Sequence, residues 1–322
     1  MPVRRALAAL AVAAALAAPA CGSGADSKDA APPTTASTTT TVPTITTTTA
    51  PPALVVAVAG DIACPPGLAP APYQCQQAAT AGLVAAAHPA LVLTLGDNQY
   101  ENGRPGEYDG SYAGTWGAFK AITRPSPGNH EYNTDGIGYY AYFGAAAGPA
   151  GKGWYSFDAG GWHIVSLNSN CAAAGGCNTG TPQNEWLRAD LAASHARCTL
   201  AFWHHPRFSS GPHGDDASVQ PLWEVLRAAG ADVVLNGHDH DYERFAPLSP
   251  AGTPDPEGMR EFVVGTGGRN LYPTFLPHTG SEIRHASGFG ILVLDLRPDD
   301  YRWHWAGLPG DPFTDAGEGQ CH

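Results

Sequence analysis

Asp232-Val233-Val234-Leu235-Asn236-Gly237-His238-Asp239-His240 reads as a short apolar strand that delivers two imidazoles just past its C-terminal end. Residues i and i+2 at a strand end point to one side, so His238 and His240 face a common space. Two imidazoles so placed suit metal ligation better than packing. The device recurs upstream: Leu54-Val55-Val56-Ala57-Val58-Ala59 runs into Gly60-Asp61, and Leu91-Val92-Leu93-Thr94-Leu95 into Gly96-Asp97. Thr199-Leu200-Ala201-Phe202-Trp203 runs into His204-His205-Pro206. Short apolar runs that stop at turn signals suit buried strands. Stretches of helical pattern, residues 76–87, 183–193 and 219–229, separate several of them. Such alternation gives β-α-β units, whose ligands gather outside the strand C-termini.

Beyond these units the pattern turns to hairpins. Residues 154–159 and 162–168 flank a Gly160-Gly161 turn, and residues 261–265, 290–296 and 301–305 read as further strands. The expected architecture is α/β: a four-layer α-β-β-α sandwich of two packed mixed sheets with outer helices. No internal repeat or second linker interrupts residues 53–322, which are expected to form one domain.

The 322-residue chain is 43% hydrophobic, enough for a sizeable core, and carries a formal charge of −12. That charge argues against a nucleic-acid partner and gives no long-range attraction for anions, so a phosphate site must supply local positive charge. Arg4 and Arg5 precede an apolar stretch at residues 6–18 that is too short to span a bilayer, an export signal by pattern. Two readings compete at its end. Ala18-Pro19-Ala20 fits a cleavage site within residues 1–20, whereas Cys21 resembles the lipid-accepting cysteine of a bacterial lipoprotein. The lipoprotein reading is preferred, because Gly22-Ser23-Gly24 and a Thr/Pro-rich linker, residues 21–52, follow at once. Membrane contact is then expected through the lipid anchor only. The six other cysteines form an even set in an exported chain. Short loops suggest Cys64–Cys75 and Cys171–Cys177, leaving Cys198–Cys321; a zinc site is the weaker alternative because no C-x₂-C pair occurs.

Taken singly, the polar motifs are ambiguous. Gly60-Asp61 and Gly96-Asp97-Asn98-Gln99-Tyr100 fit turns, Gly128-Asn129-His130-Glu131 fits a cap, and His204-His205 fits core histidines as well as ligands. Their joint order is specific: Gly-Asp, Gly-Asp-x-x-Tyr, Gly-Asn-His-Glu, His-x-Pro and Gly-His-x-His. This set resembles the calcineurin-like metallophosphoesterase superfamily. Tyr100, with the run Gly237-His238-Asp239-His240-Asp241-Tyr242-Glu243-Arg244, is similar to purple acid phosphatases.

The resemblance implies hydrolysis of a phosphate-ester substrate by a metal-activated hydroxide at a two-metal centre. It implies that Asp97 bridges the metals, that Asp61, Tyr100 and His240 complete one site, and that Asn129, His204 and His238 complete the other. Phenolate and carboxylate donors favour Fe³⁺ at the Tyr100 site, and the second set suits Zn²⁺, Mn²⁺ or Fe²⁺. His130, assisted by His213, is implied as general acid or phosphate anchor. His205 is expected to lie behind the ligands with its backbone rather than its ring near the metals, while Asp239, Asp241, Glu243 and Arg244 hold the ligand loop through hydrogen bonds and an ion pair. Gly265-Thr266-Gly267-Gly268 is read as a turn near the site, and His88, His163, His195, His278, His285, His304 and His322 as surface or core residues.

Three departures stand out. Ala63 stands where many superfamily members have a histidine, and Gly214 where plant-type members have a second histidine after the His213 position. The short approach to the first strand leaves no room for an N-terminal β-sandwich, which resembles the single-domain form. Specificity is expected in residues 101–116 and 266–287. Two rival functions remain: a phosphodiesterase with the same centre, and a surface protein that binds metal or phosphate without turnover.

Overall fold

The computed structural model describes residues 52–322; the export signal, Cys21 and the linker as far as Pro51 lie outside the described residues. In chain order the elements are β1 (Leu54–Ala59), α1 (Gln77–Ala87), β2 (Leu91–Leu95), α2 (Pro105–Gly110), β3 (Thr123–Ser126), α3 (Asn129–Tyr132) and α4 (Ile137–Phe143). There follow β4 (Tyr155–Ala159), β5 (Trp162–Ser166), α5 (Pro182–Ala193), β6 (Cys198–Phe202), α6 (Gln220–Ala228) and β7 (Val233–Asn236). The chain ends with β8 (Tyr242–Leu248), β9 (Met259–Val264), β10 (Ser281–His285), β11 (Gly290–Leu296), β12 (Asp300–Gly307) and β13 (Ala316–Gln320).

Six strands form one sheet, in the order β13-β12-β11-β1-β2-β3, and seven form the other, in the order β10-β8-β9-β7-β6-β5-β4. Both are mixed. β1, β2 and β3 run parallel, as do β5, β6, β7 and β9, whereas β11 is antiparallel to β1 and β8 to β9. The β4–β5 hairpin closes at Gly160-Gly161 with Ala159 opposite Trp162, the register its sequence implies.

Period-2 alternation assigns the layers. Leu200 and Phe202 of β6, Val233 and Leu235 of β7, and Phe262 and Val264 of β9 join Val56, Val58 and Leu93 of the first sheet in one core. The intervening Ala201, Val234 and Val263 face a second core with Leu187 of α5 and Leu222 of α6. One face of the seven-stranded sheet therefore meets the other sheet, and its opposite face meets helices. On the first sheet, Ala81 and Val84 of α1 pack against β1 and β11. The result is the four-layer sandwich.

The three disulfides are Cys64–Cys75, Cys171–Cys177 and Cys198–Cys321, as loop length suggests. Cys198 opens β6 and Cys321 follows β13, so the third bond ties the two sheets at the N-terminal end of β6.

His163 of β5 joins that sheet to α5, with Nδ1 2.8 Å from Asp158 and Nε2 2.9 Å from Asp190. The Asp190 hydrogen bond raises its pKa against the effect of burial, and Asp158 adds to the rise. A histidine raised above its unfolded value of ~6.5 stabilises fully below that pH and loses the contribution as pH rises through the folded pKa. Urea midpoints of the wild type are therefore expected to fall more steeply above pH ~6.5 than those of His163→Phe. Parallel slopes would remove His163 from the pH response.

Candidate metal centre

The C-terminal ends of β1, β2, β3, β6 and β7 converge along the seam between the sheets. Asp61 and Asp97 follow β1 and β2, Asn129 opens α3 after β3, His204 follows β6, and His238 and His240 follow β7. The backbone is left-handed at Asp61 (φ 58°), Asp97 (φ 45°) and His238 (φ 72°), each just after a glycine. Residues held there store ~1–3 kcal/mol each, which surrounding packing must offset. Two of the motif glycines leave no space for a side chain. A Cβ on Gly96 (φ 82°) would lie 2.6 Å from the His204 ring, and one on Gly128 would lie 2.1 Å from Asp97 Oδ1.

These ends bring together two nests of donor atoms. In the first, the Tyr100 hydroxyl lies 2.8 Å from Asp61 Oδ1, 3.0 Å from Asp97 Oδ2 and 3.0 Å from His240 Nε2. The hydroxyl there meets two carboxylates and an imidazole nitrogen. In the second, His204 Nε2 lies 3.0 Å from Asn129 Oδ1, 3.1 Å from His238 Nδ1 and 3.4 Å from Asp97 Oδ2. His204 Nδ1 is 2.8 Å from the Leu95 carbonyl, which makes that nitrogen the donor in the neutral ring and leaves Nε2 to face the nest. Lone pairs thus face one another with too few hydrogens to share. Donor bonds of ~2.1 Å to an octahedral cation put neighbouring donors ~3 Å apart, which is the spacing seen. The residues fit two cations sharing Asp97, and ligand atoms of Asp61, Asp97 and His204, and of His204, His205 and His238, lie within 4.8 Å of one another.

Where no cation is bound, a proton on His204 offsets the carboxylates instead. Burial raises the Asp97 pKa, but the charges of His204 and His130 hold the carboxyl far below the usual range. Burial lowers His204, yet Asp97 and Asp61 lift it to about 9. Burial and then the charges of Asp61 and Asp97 keep the Tyr100 phenol protonated, so its ionised form needs a neighbouring cation.

The supporting residues divide differently from the expectation. His130 donates its backbone N–H to Asp97 Oδ1 (2.9 Å), holds Nδ1 2.6 Å from the Glu101 carbonyl and places Nε2 3.8 Å from Asp97 Oδ2. His213 Nδ1 lies 2.8 Å from Asp239, whose hydrogen bond raises the imidazole pKa, and its ring packs 4.1 Å from that of His238. The His205 ring is itself near the centre, 4.4 Å from the His238 ring and 4.9 Å from the His204 ring, with Nδ1 bonded to Ser169. Its backbone-only placement is corrected. Glu243 binds the backbone N–H and hydroxyl of Ser210, and Asp239 the hydroxyl of Ser209, so both brace the His213 loop. Arg244 instead pairs with Asp315 (2.8 Å) and Glu282, away from the ligand loop. The fully buried Asp241 carboxyl has no hydrogen-bond partner among the described residues, and burial, then Glu243, raises its pKa well above the usual value.

Two residues at the centre had no role in the sequence reading. Glu131 accepts from the backbone N–H groups of Asn98 (2.9 Å), Gln99 (3.2 Å) and Gly128 (2.7 Å) and from the Tyr108 hydroxyl (3.0 Å). Burial and the Asp97 charge push its pKa up to about 7 against those donors. Its signal was present: Glu131 stands third in a helix opened by Gly128, the place from which a glutamate reaches back to the cap N–H. Arg269 reaches the rim because Gly265-Thr266-Gly267-Gly268 is more than a turn. It is a strap, bonded through Gly267 N to the Gly60 carbonyl and through Arg269 N to the Asp61 carbonyl, each at 2.9 Å.

Residues 54–242, more than half of the chain, match the model of the calcineurin-like phosphoesterase family. The chain belongs to that family. Among curated relatives of the chain, purple acid phosphatase 15 of Arabidopsis thaliana is 32% identical over 218 residues, 56% of this chain and 40% of that protein. Purple acid phosphatase 21 of the same plant is 31% identical over 231 residues, 61% of this chain and 52% of that protein. The chain thus spans about half the length of these relatives or less. Among solved structures, the purple acid phosphatase PPD1 of yellow lupin superposes with a TM-score of 0.62 at 19% identity, over 82% of this chain and 53% of that one. GAP50 of Plasmodium, described as the anchor in the inner membrane complex, gives 0.61 at 12% identity, over 84% and 90%. At these identities the likeness is one of fold.

Proposed function

We propose that the protein hydrolyses phosphate monoesters at a binuclear metal centre outside the cell. One observation carries this reading: Asp97 Oδ2 lies 3.0 Å from the Tyr100 hydroxyl and 3.4 Å from His204 Nε2, so a single carboxylate oxygen joins two donor sets. Fold alone would not separate catalysis from anchoring, since the lupin phosphatase and the Plasmodium anchor match it about equally. Every ligand position implied by the purple acid phosphatase motifs is filled, which supports the enzyme. The export pattern of residues 1–20 and Cys21 supports placing it at the cell surface.

Asp61, Tyr100, Asp97 and His240 would hold the first cation, with Fe³⁺ favoured by the phenol and carboxylates. Asp97, Asn129, His204 and His238 would hold the second, as Zn²⁺, Mn²⁺ or Fe²⁺. When bound, such a pair supplies Lewis acidity to the ester oxygens and lowers the pKa of an attacking water. The protein's own groups then position the reaction. The His130 N–H fixes the Asp97 carboxylate, and the Glu101 carbonyl holds Nδ1 so that Nε2 faces the centre. From there Nε2 would give a proton to the departing alkoxide oxygen. His213, held by Asp239 against His238, would contact the phosphoryl oxygens from the opposite side.

The test is turnover of p-nitrophenyl phosphate and bis(p-nitrophenyl) phosphate, side by side across pH, by the disulfide-intact protein with two metals per chain verified. Faster monoester cleavage is expected. Faster diester cleavage would make it a phosphodiesterase, and cleavage of neither would leave a binding protein.

A further inference from the structure

Gly214 adds no side chain beside His213. On the other side lies a cation that the mechanism above does not use. The Arg269 guanidinium sits 5.2 Å from the centroid of the Tyr100 ring, whose hydroxyl enters the first nest. It is ion-paired with Glu101, whose carbonyl holds His130 Nδ1 and whose carboxylate lies 3.8 Å from the same nitrogen. The Arg269 side chain is 19% exposed and Glu101 44% exposed, so the pair forms the rim of the site. Arg269 Nε is buried and has no acceptor among the described residues.

The backbone beneath this arginine is fixed at both ends. Arg269 N donates to the Asp61 carbonyl, and the Arg269 carbonyl accepts from Cys75 N at 3.1 Å, within the loop closed by Cys64–Cys75. A Cβ on Gly268 would lie 2.5 Å from Gln77 N, so the strap presses on the start of α1. A long side chain thus stands on a rigid base, with its head against Glu101 and the ring of Tyr100.

We propose that Arg269 anchors the phosphoryl group of the substrate and that Glu101 holds it in place until that dianion arrives. The proposal rests on the phosphoester reading. A guanidinium fork matches phosphate oxygens in pairs, and a phosphate dianion brings more charge than the one carboxylate it displaces. In a chain of net charge −12, long-range attraction contributes nothing, so affinity has to come from a cation at the site itself.

Calorimetric titration of the full metal-replete protein with inorganic phosphate tests this, alongside KM and kcat for p-nitrophenyl phosphate. Arg269→Gln is expected to weaken phosphate binding and raise KM by ~10–100-fold, with kcat falling less than ~5-fold. Arg269→Lys should recover part of the affinity, and Glu101→Gln should tighten phosphate binding by ~3–10-fold by freeing the guanidinium. Phosphate affinity within about twofold of wild type in Arg269→Gln would overturn the proposal. If Arg269→Gln does not fold, Glu101→Gln decides, and unchanged or weaker binding overturns it. A wild type that binds phosphate without cleaving esters would sink the catalytic reading and leave the anchor intact.

Discussion

Asp97→Asn is expected to reduce monoester hydrolysis by ~10³-fold or more, and to lower bound metal below two ions per chain. Asparagine keeps the shape and can still accept the His130 N–H at the position of Oδ1. It removes the negative charge shared by both nests, and its amide hydrogens would meet the Tyr100 hydroxyl and His204 Nε2, which now lie 3.0 and 3.4 Å from a carboxylate oxygen. The fold itself should persist, because no core side chain changes. Metal analysis and single-turnover hydrolysis on the same sample check both halves. A variant with wild-type rate and two metals would refute the assignment of the centre.

Glu131→Ala is expected to destabilise the protein by ~3–5 kcal/mol, because it leaves three backbone N–H groups and one phenol unpaired in a dry interior. Glu131 is fully buried, and its two oxygens join the loop after β2, the loop after β3 and Tyr108 of α2. Those loops carry Asp97, Tyr100 and Asn129. Activity should therefore fall as well, since a displacement of ~1 Å at reacting groups costs ~10²-fold. Urea unfolding at constant m-value measures the first effect. A midpoint loss equivalent to under ~1 kcal/mol would show that the loops are held by something else.

The sandwich was legible where strand chemistry is simple. Apolar runs ending in Gly-Asp, His-His or Gly-His gave β1, β2, β6 and β7 to within a residue or so, because a buried strand needs continuous apolar residues and its end needs a turn. β3 escaped notice since Pro125 lies within it, tolerable at the sheet's edge where one side needs no ladder. β13 escaped because Ala316–Gln320 alternates exposure without a large apolar side chain. Residues 101–116 are expected to hold specificity, yet Tyr108, Tyr112 and Trp116 are wholly buried there in short helical turns. Their aromatic side chains fill the core without regular spacing. At the centre, the motif residues converge as the resemblance implied. Arg269 stayed hidden because its role depends on Glu101 and Tyr100, which are distant in sequence and adjacent only after folding.

The Cys198–Cys321 bond lies where β6 begins, whereas His204 enters the centre just past the point where β6 ends. The two sheets are therefore clasped at opposite edges, covalently at one and through shared donor atoms at the other. A book closed at spine and fore-edge cannot open by hinging its covers. Motions at the centre must then belong to side chains of the rim such as the exposed Glu101, and not to the anchored strap beneath Arg269.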